Sequence, residues 1–180
     1  MHGRRDPEQK PWMFTADRTW PQPDDVLSPF GIWIAEVMLQ QTQLQAVLPY
    51  WERWMEVFPT LERLAEAREH DVLLLWQGLG YYSRARRLLA GAKQLMGQIA
   101  PASSTTLSAW PMDLDGWLLL PGIGRTTAGG ILSSAFNSPL AILDGNVRRV
   151  LARLQAHPKP PARDQALCWQ WSEALVAAAP

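Results

Sequence analysis

The 180-residue sequence predicts an all-α protein. Nothing in its middle alternates apolar and polar residues with period two, and the β-branched runs that a buried strand needs are missing. Apolar residues recur instead at helical spacing, and Pro or Gly breaks the pattern at short intervals. An apolar fraction of 47% with ten tryptophans can bury a substantial core. Charged residues make up 19%, which excludes a disordered or fibrous chain.

The elements follow in order. Residues 1–28 carry Pro7, Pro11, Pro21 and Pro23 among scattered charges and read as an irregular lead-in. Ser28 offers an N-cap and Pro29 a first-turn proline for a helix running toward Gln41. A second helix spans about Leu44 to Val57, with Pro49 a candidate kink. Thr60 can cap a short helix through about Ala67, and "DVLLLWQ" forms another that stops at Gly78. In "YYSRARRLLAGAKQLMGQI" Leu88, Leu89, Ala92, Leu95 and Met96 are helically spaced, with Arg84, Arg86, Arg87 and Lys93 unopposed by any acid. Residues Ser103–Thr106 read as loop. Asp113 can cap "LDGWLLL", which ends at Pro121, and a helix from Arg125 to about Ala135 follows. Two more, near 143–156 and 163–178, complete the chain, and no repeat of the solenoid kind is visible.

Net charge is zero, yet residues 72–163 hold ten Lys/Arg against Asp113, Asp115 and Asp144 alone. That asymmetry permits phosphate contacts, although an ordinary solvated surface also produces it. Cys168 is the one cysteine, which excludes an internal disulfide and a Cys-x-x-Cys metal site and suits a reducing compartment. "MHGRRDPEQKPW" lacks the apolar core of a signal peptide. The uncharged run 126–143 is interrupted by Gly129, Gly130, Asn137 and Pro139 and makes a poor membrane span. A soluble protein of the cytosol, with no membrane partner, is expected.

Two stretches carry candidate chemistry. In "LPGIGRTTA", residues 120–128, Gly122 and Gly124 shape a tight turn whose backbone N–H groups can point outward at a helix start, a ready site for one phosphate. An ordinary helix–helix connection would use the same glycines. In "AEVMLQQTQ", residues 35–43, Glu36 is surrounded by Ile34, Ala35, Val37, Met38 and Leu39. Either it lies in a low-dielectric pocket that raises its pKa, or it sits on a polar stripe with Gln40 and Gln43.

The full pattern Leu-Pro-Gly-Ile-Gly followed by Arg125, Thr126, Thr127 and Ala128 resembles the helix-hairpin-helix motif of DNA-handling proteins. Asp144 stands about twenty residues on, as in the DNA glycosylases that share the motif. Four segments, "SPFGIWIAEVMLQQTQLQAVLPYWERWMEVFPTLERLA", "LWQGLGYYSRARRL", "LPGIGRTTAGGILS" and "ILDGNVRRVLARL", together resemble the MutY adenine DNA glycosylase family over most of residues 29–154.

The resemblance implies a helix-hairpin-helix DNA glycosylase fold. Residues 29–142 would form a six-helix barrel domain with the hairpin at 114–136, and 143–180 the start of a second helical domain. It implies that Glu36 is the catalytic acid, protonating adenine at N7 so that a neutral base leaves, and that Asp144 stabilises the oxocarbenium-like sugar. Gln41 and Tyr81 would wedge into the duplex as the base flips, with Thr42 beside the opposing guanine. Leu39 and Trp12 would line the adenine pocket. Gly122, Gly124, Arg125, Thr126 and Arg148 would hold the DNA. On residue pattern alone Tyr81 could equally be a core aromatic, and Tyr82 reads as one. The implied partner of a monomeric enzyme is double-stranded DNA with A opposite 8-oxoguanine or G. Thr126 stands where endonuclease III-like relatives carry a Schiff-base lysine, so little lyase activity is implied.

The chain departs from the family pattern in three places. The [4Fe–4S] cluster that the resemblance implies needs four cysteines in the pattern C-x6-C-x2-C-x5-C, and none of them is in this sequence, which points to a fragment or truncated product. About ten residues are inserted between Lys10-Pro11-Trp12 and Glu36. Arg148 replaces a lysine often found after Asp-Gly-Asn-Val, keeping the charge but not the geometry. Other readings are a catalytically incomplete DNA-binding fragment, a T/G-mismatch or endonuclease III-type glycosylase, and a helical interaction protein without a nucleic-acid role.

Overall fold

The computed structural model describes residues 6–22, 25–98 and 110–179; the loop expected at 103–106 lies outside them. It is all-helical, with no strand among the described residues. The helices are α1 Pro29–Leu39, α2 Leu44–Val57, α3 Leu61–Ala65, α4 Glu69–Trp76, α5 Ser83–Gln98, α6 Leu114–Leu118, α7 Arg125–Phe136, α8 Gly145–Leu154 and α9 Gln165–Ala177. Short 3-10 turns stand at Pro11–Met13 and Pro161–Arg163.

Local chemistry sets several starts. Ser28 Oγ accepts from the Gly31 amide at 3.2 Å ahead of Pro29, and Thr60 and Asp113 cap α3 and α6 in the same way. The second helix runs through Pro49 as one element. The α7 helix ends at Asn137 in the left-handed conformation, a usual way to stop a helix.

The core is organised around α1. Nine of its eleven residues are buried, and it packs against α7, α2 and α5. The fully buried Trp33 lies 6.3 Å from Trp110 and 6.1 Å from Trp117, which stack on each other at 5.9 Å. Under α2 and α4, Trp54 meets Trp76 and Phe58 edge-on. Such rings bury large area and prefer these tilted and offset arrangements. A smaller apolar cluster of Leu143, Leu151 and Cys168, flanked by Val147, Trp169 and Trp171, joins α8 to α9. No helix is long and apolar enough to cross a membrane among the described residues.

Arg84, unopposed by any acid in the sequence reading, is only 6% exposed, because backbone carbonyls of other elements surround its guanidinium. Two features differ from that reading. Arg86 is opposed after all: Glu69 of α4 accepts from its Nε at 2.8 Å. Tyr82 is not a core residue; both tyrosines precede α5 in an outward turn, Tyr81 63% and Tyr82 40% exposed.

The packing of α7 is tightest at Gly129, where an added Cβ would lie 2.9 Å from the Ala141 carbonyl oxygen, whereas Gly97 in α5 has open space. Gly129→Ala should therefore cost about 1–2 kcal/mol, since backbone must shift to admit the methyl. Gly97→Ala should gain about 0.5–1 kcal/mol from helix propensity. Urea denaturation of both variants measures the two signs.

Candidate active site

Glu36 lies late in α1, a turn before the helix ends. Its neighbours in sequence are buried, so the side chain emerges from the apolar interior half-buried. Its carboxyl faces α7 at Gly130, where a Cβ would stand 3.2 Å from Oε2 and 3.4 Å from Oε1. The missing methyl makes room for the acid. No hydrogen bond from the described residues reaches the carboxylate. Burial, first, and the negative charge of Asp144, second, push its pKa up to about 7, against a smaller opposing pull from Lys10. The structure thus favours the low-dielectric alternative over the solvated stripe.

Asp144 stands at the N-terminus of α8. One oxygen, Oδ1, accepts from the amides of Asn146 at 2.8 Å and Val147 at 2.7 Å. Capping therefore fixes the carboxyl by one oxygen and leaves Oδ2 for other work. Two hydroxyls hold the segment that delivers it. Thr126 Oγ1, in the first turn of α7, donates to the Leu143 carbonyl at 3.2 Å and accepts from the Leu143 amide at 3.4 Å. Ser172 Oγ of α9 donates to the Ile142 carbonyl at 2.7 Å. Thr126 thus ties the hairpin to the residue before Asp144.

The hairpin itself joins α6 to α7 between buried Leu120 and Ile123. Gly122 has φ +81°, and a Cβ there would press 2.8 Å from Arg87 Cδ, so two constraints require glycine. Gly124 is the N-cap of α7 and offers no side-chain cap, so the first-turn amides of α7 have no capping partner. Arg125, expected to face DNA, is drawn toward α9: it pairs with Glu173 and lies 4.0 Å above the Trp169 ring. Arg148 is half-buried in α8 with its Nε lacking a protein partner.

Gln41 and Tyr81 are both exposed, and both have left-handed backbone, φ 59° and 48°. Thr42, next to Gln41, is half-buried, its hydroxyl accepting from Arg84 Nη2 at 3.1 Å. Leu39 is half-buried against the main core. Gln40 bridges from the end of α1 to Thr127 of α7 at 3.3 Å. Trp12 turns elsewhere, packing 5.4 Å from Trp51 and lining a cavity with Phe14, Leu27, Phe30 and Leu61; neither Glu36 nor Leu39 lines it.

Sequence reasoning missed Arg84, Gly130 and Lys10. Arg84 and Gly130 approach α1 or its carboxylate, and Lys10 acts on it through its charge, across distant segments that no local pattern announces.

A four-thiolate cluster does not fit these residues. Cys168 is the chain's one cysteine and is buried between α8 and α9, and no group of three or more metal-ligating side chains exists among the described residues.

The chain resembles adenine DNA glycosylases from Rattus norvegicus, 46% identical over 130 residues, and from Schizosaccharomyces pombe, 38% identical over 161 residues. These matches cover 71% and 87% of this chain but only 23% and 33% of the relatives, so the chain spans about a quarter to a third of their length. Two solved structures share the fold. A thermostable thymine-DNA glycosylase superposes with a TM-score of 0.69 at 21% identity, covering 82% of this chain and 66% of that one. A trapped endonuclease III–DNA covalent intermediate gives 0.68 at 24%, covering 85% and 67%. The family model for HhH-GPD superfamily base excision DNA repair proteins matches residues 34–173, a span that holds Glu36, both glycines of the hairpin and Asp144. With that span matched and an all-α fold, the chain belongs to the HhH-GPD superfamily of base excision DNA repair proteins.

Proposed function

We infer that the chain carries the catalytic region of a monofunctional adenine DNA glycosylase, acting in the cytosol on duplex DNA with A opposite 8-oxoguanine or G. The observation that carries this reading is Glu36: a carboxyl raised to about 7 at a half-buried position, with Asp144 as its electrostatic neighbour. Near neutrality such an acid keeps its proton in a sizeable fraction of molecules and can give it to a ring nitrogen. The likeness to curated adenine DNA glycosylases supports adenine as the base.

The reaction runs by protonation and departure. Glu36 donates its proton to N7 of the flipped adenine, and the C1′–N9 bond breaks with its electron pair going to the base. The sugar is left oxocarbenium-like, and the free oxygen of Asp144 stabilises it. Water adds at C1′ and loses a proton, giving an abasic site and neutral adenine. Thr126 has no amine and its hydroxyl is engaged at Leu143, so no Schiff base forms there and the backbone stays intact. The first-turn amides of α7 behind Gly124 suit one backbone phosphate.

One observation favours a second reading. The uncapped first-turn amides of α7 behind Gly124 would equally serve a duplex-binding region that does not turn over.

Assay of an end-labelled duplex bearing A opposite 8-oxoguanine separates the two. Adenine release should yield strand breaks only after hot alkali, and Glu36→Gln should lower the rate by about a hundredfold or more while duplex binding stays. Binding without turnover by the wild-type chain would leave the second reading standing.

The proton balance of Glu36 has a further consequence. Above about pH 7 the acid is ionised, so excision should fall about tenfold per pH unit. Between pH 4.5 and 7 the folded chain holds a proton that the unfolded chain has released, so stability declines as pH rises through that window. Glu36→Gln should therefore gain up to about 3 kcal/mol over wild type at pH 8 and little at pH 4, read by thermal melts at both pH values.

Asp144→Asn separates capping from catalysis, because asparagine caps as well as aspartate. Stability should stay within about 0.5 kcal/mol, while excision falls by about a hundredfold or more. Its pH midpoint should also move down, since one of the two effects raising Glu36 has gone. An unchanged excision rate in this variant would remove Asp144 from the mechanism.

A further inference from the structure

The Arg84 guanidinium lies where two loops meet. Nη1 donates to the carbonyls of Val37 at 3.2 Å, Met38 at 2.8 Å and Gln40 at 2.5 Å. Nη2 donates to Thr42 Oγ1 at 3.1 Å and to the carbonyls of Leu79 at 3.1 Å and Gly80 at 3.2 Å. Three of these acceptors are carbonyls at the C-terminal end of α1, which has no further turn to bond them. The planar fork reaches both loops at once, which the compact ammonium of lysine cannot do. Trp76 and Tyr81 lie beside it, their ring centroids 5.3 Å and 5.5 Å away.

Two of the bonded carbonyls, those of Gln40 and Gly80, belong to the peptide groups that lead directly into Gln41 and Tyr81. Each of those residues is exposed, is not glycine, and has a left-handed backbone. Such a conformation persists in a non-glycine residue only when its surroundings over-determine it. One buried cation thus holds both strained residues from the same point. Opening a duplex to extrude a base leaves a gap, and side chains already aimed and held lose less freedom on entering it.

We propose that Arg84 is a positioning residue, whose buried fork presets Gln41 and Tyr81 as a coupled pair that enters the duplex when the target base flips. This rests on the glycosylase reading above. The pair would act as one device, and loosening the fork would disable both arms together while leaving the Glu36 acid as it was.

The test combines wild type, Arg84→Lys and the Gln41→Ala/Tyr81→Ala background, with Arg86→Lys as an exposed control. Base flipping is read with 2-aminopurine placed beside the target adenine, and excision in single turnover. Arg84→Lys should reduce both by about tenfold or more with the pH midpoint of excision unmoved, and Arg86→Lys should change neither. In the Gln41→Ala/Tyr81→Ala background the same substitution should cost less than twofold further. An equal loss in both backgrounds, or intact flipping in Arg84→Lys, would overturn the proposal.

Amide hydrogen exchange of the free wild-type chain keeps the idea testable even if Arg84→Lys does not fold. The amides of Thr42 and Leu79, bonded to the Leu39 and Trp76 carbonyls, should exchange at least tenfold slower than in free peptide. Free-peptide rates there would sink the clamp while leaving the glycosylase reading untouched. Absence of excision and flipping in wild type sinks that reading and, with it, the role of the clamp in DNA.

Discussion

Everything at the site depends on the near-complete burial of α1. A helix packed against α2, α5 and α7 leaves its one carboxylate only a half-buried position, so the environment of Glu36 is set by the packing of three other elements. The aromatic cluster of Trp33, Trp110 and Trp117 anchors one side of this helix. On the side of the acid, α7 approaches with glycine, and that absence of a side chain separates a tolerated carboxyl from a clash. A buried charge without compensation is costly, and here the cost appears as a raised pKa rather than a salt bridge.

The second carboxylate is placed by a different logic. Asp144 belongs to the junction between the main core and the small cluster of α8 and α9. Hydroxyls of Thr126 and Ser172 fasten that junction from both sides, and the α8 amides fix the aspartate itself. The two carboxyls therefore come from separately stabilised pieces, one from a buried helix and one from a cap. Their electrostatic coupling is helped by α7, which packs on α1 and whose Thr126 holds the Leu143 carbonyl beside Asp144. The residues of the hairpin accordingly serve structure as well as any anion: Arg125 and Thr126 both make contacts within the fold.

Arg84 shows how charge on a sequence can mislead. Taken with Arg86, Arg87 and Lys93 it reads as one of a row of cations with no acid among them, and Arg86 does sit in an exposed ion pair. Yet Arg84 faces inward, where the unsatisfied carbonyls at the end of α1 supply the acceptors that an acid would otherwise provide. Desolvation lowers its pKa without taking it near neutrality, because a guanidinium keeps its proton in proteins.

What the sequence determined by itself was whatever depends on neighbours a few residues apart. Helix periodicity, the caps at Ser28, Thr60, Asp113 and Asp144, and the turn at Gly122 all follow from contacts within about four residues, so the all-α architecture was legible. The identity of Glu36 and Asp144 as candidates was legible too, because the motifs around them are contiguous. Tertiary structure alone decided whether Glu36 is solvated or raised, that Tyr82 is exposed, that Arg84 is buried, and that Arg125 turns to Glu173. Each of these rests on burial or on partners far along the chain, such as the Met38 carbonyl 46 residues from Arg84. Desolvation is a property of everything that packs around a group, and no spacing within one segment encodes it.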